Sequence, residues 1–425
     1  MGLRAISSIG GVVLILLLLA PCVWGQETTP PSETDARIQF YKSRIGGPGT
    51  YPAYARLGAA YIQKARETGR QIIYDEAVTT LQTSLRYQRN YEALFWLATA
   101  QLARHEFQEA LAYAQETIAT RPSDLGAQGT LFDISLALGD VEAAEAVLEK
   151  MRLSPTHSAY YARLATLQEV RGNLTGALEA IGNTCSLIDM QSRSLETRAW
   201  CHVRLGALSL LSHCETEKPE AAYQRALTFV PQYHLALEHL AELRVAQARD
   251  EEAMALYHHL IKTTDNPVHR LSLADIYAQQ GNMENAETEK SRALADLRGW
   301  AKHGSRAYLR PLALLLLDRQ ETAAEGLEWA RKDWENRRDF LAADTLAWAL
   351  HRNGDTPKAL QTVQEALRTG SKEGSILLHA ALIYVGADHH PEARKLLDQA
   401  LICPLALRPA DRAQAEKLRA ELQKE

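Results

Sequence analysis

The stretch Leu273-Ala274-Asp275-Ile276-Tyr277, then Gly281-Asn282, then Ala286, then Ala293-Leu294 decides the fold, because it recurs. A second copy reads Leu346-Ala347, Leu350, Gly354-Asp355, Ala359 and Ala366-Leu367. Two more read Leu97-Ala98, Gln101, Ala110 and Pro122, and Leu164-Ala165, Gly172-Asn173 and Ala177. In all four the leucine precedes the central alanine by thirteen residues, and the copies return at a period near 34.

The spacing has a physical reading. In the first half of each copy, positions 4, 7, 8 and 11 make one apolar stripe at helical period. A small residue at position 8 faces the central alanine of the second half, where two helix backbones approach closely. Gly139, Gly172, Gly281 and Gly354 suit the left-handed cap of a first helix. Asp140, Asn173, Asn282 and Asp355 then suit the start of a second. Pro122, Pro155 and Pro231 end second helices.

Composition agrees. The chain is 46% hydrophobic and 23% charged, which allows a large core and excludes disorder. Aromatics are only 7%, and period-two runs of β-branched residues are hard to find, so the class is all-α. A net charge of −5, interspersed along the chain, offers no basic stripe for nucleic acid.

These residues resemble the tetratricopeptide-repeat family over about 51–406. The resemblance implies a right-handed superhelical solenoid of about ten helix hairpins. The repeats fall near 51–90, 91–124, 125–157, 158–190, 199–232, 234–266, 267–298, 306–336, 340–373 and 374–406. Three depart from the pattern. The first carries seven extra residues, Arg66 to Ile72 approximately; the fifth has Pro219 where the central alanine belongs; the eighth, with Pro311 and Leu314 to Leu317, has no clear register. Asp344-Thr345-Leu346-Ala347-Trp348-Ala349-Leu350 also resembles a segment of exported bacterial members of the family.

The termini are read separately. Arg4, the apolar run Val12 to Ala20, Pro21 and Val23-Trp24-Gly25 describe a signal peptide over 1–25, cleaved before Gln26. The alternative is an uncleaved anchor from Ala5 to Trp24, the one route to a membrane. Residues 26–35 read as a polar linker. A capping helix and turn occupy 36–50, with Ala36 to Ile45 helical before Gly46-Gly47-Pro48-Gly49. Residues 407–425 read as a charged C-terminal cap. The chain is thus expected to be exported, periplasmic or secreted.

Cys185, Cys201, Cys214 and Cys403 remain after the leader. They suit disulfides in an oxidising compartment, or small buried apolar positions. Cys185 ends one helix and Cys201 begins the next, which brings them to the same end of the array. Cys201 and Cys214 on one helix stand ~20 Å apart, too far to bond.

Tight catalytic patterns are absent: there is no glycine-rich phosphate loop and no Gly-x-Ser-x-Gly elbow, and His105-Glu106 lacks the second histidine of a zinc-protease helix. No enzyme activity, cofactor or metal is expected. His258-His259 point about 100° apart on a helix, and Asp388-His389-His390 reads as a polar turn.

Family resemblance implies that first helices line a concave groove, at positions 2, 5, 9, 12 and 13. Those positions, with 6 as a border, hold Arg56, Trp96, Arg163, Glu169, Glu238, His239, Glu242, Asp275, Asp344, Trp348 and His351. The Lys and Asn set that clamps a C-terminal carboxylate in cochaperone members is missing, so chaperone-tail binding is not expected. Trp96 and Trp348 read either as anchors for a partner or as packing between repeats. Glu238, Glu242 and Asp275, edged by His239, form an expected acidic patch for a basic segment. The reading that results is an exported scaffold. It binds a protein or extended peptide, or assembles an envelope complex, through the concave face. Its alternative is a recognition module for envelope glycan or lipid.

Overall fold

Each apolar stripe becomes a helix buried along one side. The computed structural model of the chain describes residues 32–152 and 157–424. The leader, its junction before Gln26, the start of the linker and Pro155 lie outside them. After α1 (Glu33–Lys42) and a 3-10 turn (Pro48–Thr50) come ten helix hairpins. The first five are α2 (Tyr51–Thr68) with α3 (Ile73–Tyr87), α4 (Tyr91–Ala103) with α5 (Phe107–Thr120), α6 (Leu125–Ala137) with α7 (Val141–Met151), α8 (Ser158–Val170) with α9 (Leu174–Gln191), and α10 (Leu195–His213) with α11 (Glu217–Phe229). The second five are α12 (His234–Ala246) with α13 (Asp250–Thr263), α14 (Val268–Gln279) with α15 (Met283–Lys302), α16 (Leu309–Leu317) with α17 (Ala323–Asn336), α18 (Phe340–Arg352) with α19 (Thr356–Leu367), and α20 (Gly374–Val385) with α21 (His390–Ala400). The last helix is α22 (Pro409–Leu422). No strand occurs among the described residues. The fold is an all-α solenoid.

The caps follow the sequence reading. Gly139, Gly172, Gly281 and Gly354 have φ of 77°, 72°, 76° and 82°. Asp140, Asn173, Asn282 and Asp355 accept from the backbone N–H groups of Ala143, Gly176, Asn285 and Lys358. Four turns take the same left-handed conformation without glycine, at His105, Cys214, Ala248 and Asp388.

The departures resolve in physical terms. Ser32 caps α1, whose start at Glu33 precedes the expected Ala36. The extra residues of the first repeat mostly lengthen α2, leaving 69–72 as the turn. Helix α9 continues through Gln191, so the connection after Cys185 is largely helical. Pro219 lies in the first turn of α11, where an amide hydrogen has no intrahelical partner to lose. The ring of Tyr223 then covers Gly206, where a Cβ would stand 2.4 Å from it. In the eighth repeat Pro311 likewise sits in the first turn of a short first helix.

Each first helix packs on its own second helix and on the next repeat. Buried apolar clusters follow one another along the stack, each bridging neighbouring helices. Cys185 and Cys201 form a disulfide between α9 and α10, with Cα atoms 5.6 Å apart. Cys214 caps the far end of α10.

Rotation accumulates until the chain passes over itself. Arg66 of α2 pairs with Glu196 of α10 at 3.0 Å, and His234 Nε2 of α12 donates to the Arg66 carbonyl at 3.1 Å. The N–H groups of Gln71 and Ile72 donate to the Asp265 carboxylate at 2.7 and 3.0 Å. In the second repeat, Glu106 meets Arg306 at 3.3 Å, and the His105 carbonyl accepts from Asn336 Nδ2 at 2.9 Å. Gly139 lies against the Arg338 carbonyl and Gly172 against that of Gly370. These contacts make a seam joining the first turns of the solenoid to its later repeats.

The seam has a test with internal controls. A Cβ at Gly139 or Gly172 would stand 2.1 Å from a backbone oxygen across the seam, whereas Gly281 and Gly354 face open space. All four carry the left-handed penalty of about 1–2 kcal/mol for a non-glycine residue. Gly139→Ala and Gly172→Ala should therefore lose at least about 1 kcal/mol more in urea unfolding than Gly281→Ala and Gly354→Ala. Equal losses would show that the seam does not form in solution.

Candidate partner-binding surface

Polar positions of the first helices pair from one repeat to the next. Arg163 of α8 bonds Asp133 of α6 at 2.6 Å, lying over Gly129, where a Cβ would come within 2.8 Å of the guanidinium carbon. Glu169 of α8 holds Arg204 of α10. Glu196 of α10 accepts from the Tyr233 hydroxyl at 3.0 Å. Arg56 of α2 reaches Glu92 of α4 at 3.8 Å, and both are well exposed.

Each carboxylate of the expected acidic patch has a partner of its own. Glu238 of α12 lies 3.4 Å from Nε2 of the buried His269 of α14. Burial works against the charge of Glu238, yet His269, His239 and His234 hold its carboxyl below the usual range. His239 stacks on the Tyr223 ring and bonds Glu242 at 2.8 Å through Nδ1. Burial lowers the affinity of His239 for a proton, but Glu242 and Glu238 more than reverse this and its pKa is raised. Asp275 of α14 lies 3.5 Å from Arg408, next to α22; burial raises its pKa against the pull of that guanidinium. Glu242 remains about half exposed, Glu238 and Asp275 about a quarter. These carboxylates are oriented by their partners and remain partly open to solvent.

A second group gathers in repeats eight to ten. Asp344 of α18 is fully buried, so its carboxylate meets neighbouring helices instead of a groove. His379 Nδ1 of α20 lies 3.0 and 3.2 Å from its two oxygens, and Arg310 of α16 stands 3.8 Å away. Trp348 stacks face to face on His379 with centroids 4.6 Å apart, and more loosely on His351 at 5.4 Å. Burial lowers the pKa of His351. Trp348 and Trp96 are both half buried against repeat cores, Trp96 edge-on to Phe95.

Sequence reasoning missed the partners: Asp133, Arg204, His269, Arg310, His379 and Arg408. A signal existed for most of them. Bonded pairs recur one repeat apart, at separations of 30 for Arg163 and Asp133, and 35 for Arg204 with Glu169 and for His379 with Asp344. A scan for complementary side chains at the repeat period finds them.

Between the inner face of repeats three to five and the later turn lies a cavity of about 510 Å³. Thr166, Trp200 and Arg204 line one side, and Phe340, Lys372 and Glu373 the other. Burial raises the pKa of Glu373. Among the described residues, no group of three or more His, Cys, Asp or Glu is placed to hold a metal, and no helix is long and apolar enough to cross a membrane.

Two tetratricopeptide-repeat models match the chain, over residues 64–124 and 101–168. No curated protein matches it. Similar solved structures include a thermophilic protein of this repeat class from Thermus thermophilus, at 23% identity over 48% of this chain and 99% of that one, with a TM-score of 0.38. Yeast Tom70 matches at 11% identity over 88% and 96%, with a TM-score of 0.35. A tetratricopeptide repeat protein of Parabacteroides merdae matches at 17% over 57% and 91%, with a TM-score of 0.36. Scores at that level carry no argument about this chain. The matched repeats do: residues 64–168 carry tetratricopeptide repeats, a class whose repeats bind proteins or peptides, and the ten hairpins with their glycine turns continue the same architecture.

Proposed function

We propose that this chain is an exported, non-catalytic scaffold that holds a protein segment against the inner face of its first helices. Such a scaffold would assemble a complex in the periplasm or outside the cell. The observation that carries the reading is the solvent-facing group of Glu238, Glu242 and Asp275, fixed in orientation by His269, His239 and Arg408. Preorganised carboxylates on a repeat surface suit a basic, extended segment, which they would attract with a salt-dependent rate. Support for export comes from the apolar run Val12 to Ala20. The Cys185–Cys201 disulfide adds to it, since such bonds persist in oxidising compartments.

Purification of the mature chain from its native envelope with bound proteins, identified by mass spectrometry, supplies the partner for the following measurements. The purified chain itself should begin at Gln26; an intact Met1 in the membrane fraction would overturn cleavage.

The triple variant Glu238→Lys, Glu242→Lys, Asp275→Lys should weaken binding of the basic segment about tenfold or more at low salt and flatten the salt dependence. A single rim charge contributes only about 0–1 kcal/mol, so all three are changed together. Exposed second-helix acids serve as controls, as Glu142→Lys, Glu251→Lys and Glu284→Lys. Glu289 and Glu287 are unsuitable, because Glu289 is buried between Arg270 and Arg292 and Glu287 pairs with Arg319. A folded triple variant with unchanged affinity and salt slope removes this surface from consideration.

The pH dependence has a definite sign. His239 has a raised pKa, so it gains a proton as pH falls toward and through the ordinary histidine range near about 6.5. That proton adds positive charge beside Glu242, and affinity for a basic segment should fall with pH. His239→Gln should remove this slope while leaving binding at high pH intact. A slope that survives the substitution would place the titrating group elsewhere.

A further inference from the structure

Cys214 and Cys403 are far apart in sequence, at the end of α10 in repeat five and just beyond α21 of repeat ten. The fold brings them to one point. Cys214 caps α10 with φ of 51°, and its N–H donates to the Leu210 carbonyl at 2.8 Å. The Cys403 thiol donates to that same carbonyl at 3.3 Å. One carbonyl oxygen thus receives both the backbone N–H of Cys214 and the thiol of Cys403, which makes the two cysteines immediate neighbours. Behind Cys403 a 3-10 turn (Pro404–Ala406) packs on α10 and α12, which holds the approach in place. At a left-handed cap glycine is the least strained residue. A cysteine there gains nothing from the backbone, and what it contributes is a thiol at this position.

We propose that Cys214 and Cys403 are a second disulfide site, which locks the C-terminal end of the solenoid onto its fifth repeat. The oxidant is an external disulfide, carried by a small thiol or by a dithiol-disulfide protein. The Cys214 thiol gives up its proton, and its sulfur attacks the external disulfide. One external thiolate leaves, and a mixed disulfide remains on Cys214. The Cys403 thiol then loses its proton and displaces the second external thiolate, closing the Cys214–Cys403 bond. Two protein thiols are oxidised, and one external disulfide is reduced to two thiols. The order follows from exposure: Cys214 is half buried and Cys403 buried. Burial, with the neighbouring Cys214 thiol, pushes the Cys403 thiol up to about 12, so it is a poor first attacker.

The bond would do more than join two residues. Arg408 follows Cys403 by one short turn and reaches Asp275 on the inner face. Closing the disulfide fixes that contact and the helix behind it, α22, whereas the reduced chain leaves both held only by non-covalent packing. The site is independent of the partner-binding reading.

The test uses the full mature chain, reduced under native conditions and then treated with oxidised glutathione. Alkylation and non-reducing peptide mapping should recover a Cys214–Cys403 linked pair alongside Cys185–Cys201, whose formation shows that oxidation succeeded. In Cys403→Ser the reaction should stop at glutathione attached to Cys214. Hydrogen exchange across 404–422 should slow about tenfold or more on oxidation of the unsubstituted chain. Free thiols or separate glutathione adducts at 214 and 403 in a chain with Cys185–Cys201 closed would overturn the proposal. An unmodified Cys214 in Cys403→Ser would overturn the order of attack. Exchange that does not change would overturn the locking role.

Discussion

The structure depends on two helix backbones lying so close that only alanine or glycine fits between them. Ala98 with Ala110, Ala165 with Ala177, Ala274 with Ala286, and Ala347 with Ala359 are each at most 1% exposed. Little apolar area is gained at any one alanine. What the contact fixes is distance and angle, because the side chains at a crossing set how near two helices approach. Where the small residue is glycine, a larger neighbour takes the space: Leu81 beside Gly58 and Tyr223 beside Gly206, each 2.4 Å from where a Cβ would be. The same close contact recurs in repeats whose other residues differ.

Rotation summed over the repeats brings the early ones against the late ones. In an open solenoid each repeat touches only its neighbours, and stability is close to a sum of local terms. This chain adds contacts between repeats far apart in sequence. The Asp265 carboxylate receives two backbone N–H groups, an arrangement stronger than a neutral hydrogen bond. Glu196, almost wholly buried, keeps both Arg66 and the Tyr233 hydroxyl, and would be costly to bury without them. The early repeats are consequently braced by the late ones.

Much of this was legible in the sequence, and the limit has a physical cause. Helices, caps and the small-residue contact are set by residues a few positions apart, so their spacing shows. Gly139 and Gly172 announce a left-handed turn, but nothing local announces that each turn also touches a carbonyl of Arg338 or Gly370. That contact depends on rotation summed over the intervening repeats. The candidate surface divides in the same way. Glu238, His239 and Glu242 could be placed together because one helix carries them. Asp344 holds an inner position in its repeat, which by itself points to a groove. It is buried because Arg310 and His379, from the repeats before and after, close over it.

The irregular repeats make sense in this light. The lengthened α2 and its turn carry Arg66, Gln71 and Ile72, which reach Glu196 and Asp265. The extended first helix of repeat five carries Glu196 near one end and Cys214 at the other, and both face another turn of the solenoid. The eighth repeat, whose first helix is short, is flanked by Arg306 and Asn336, which hold Glu106 and the His105 carbonyl. Regular repeats also supply groups to the seam, among them Gly139, Gly172 and Asp265. Each of the three departures from the 34-residue pattern nevertheless lies where non-neighbouring repeats meet. In a solenoid that closes on itself, the residues that break the repeat are evidence about the long-range contacts that the repeat itself conceals.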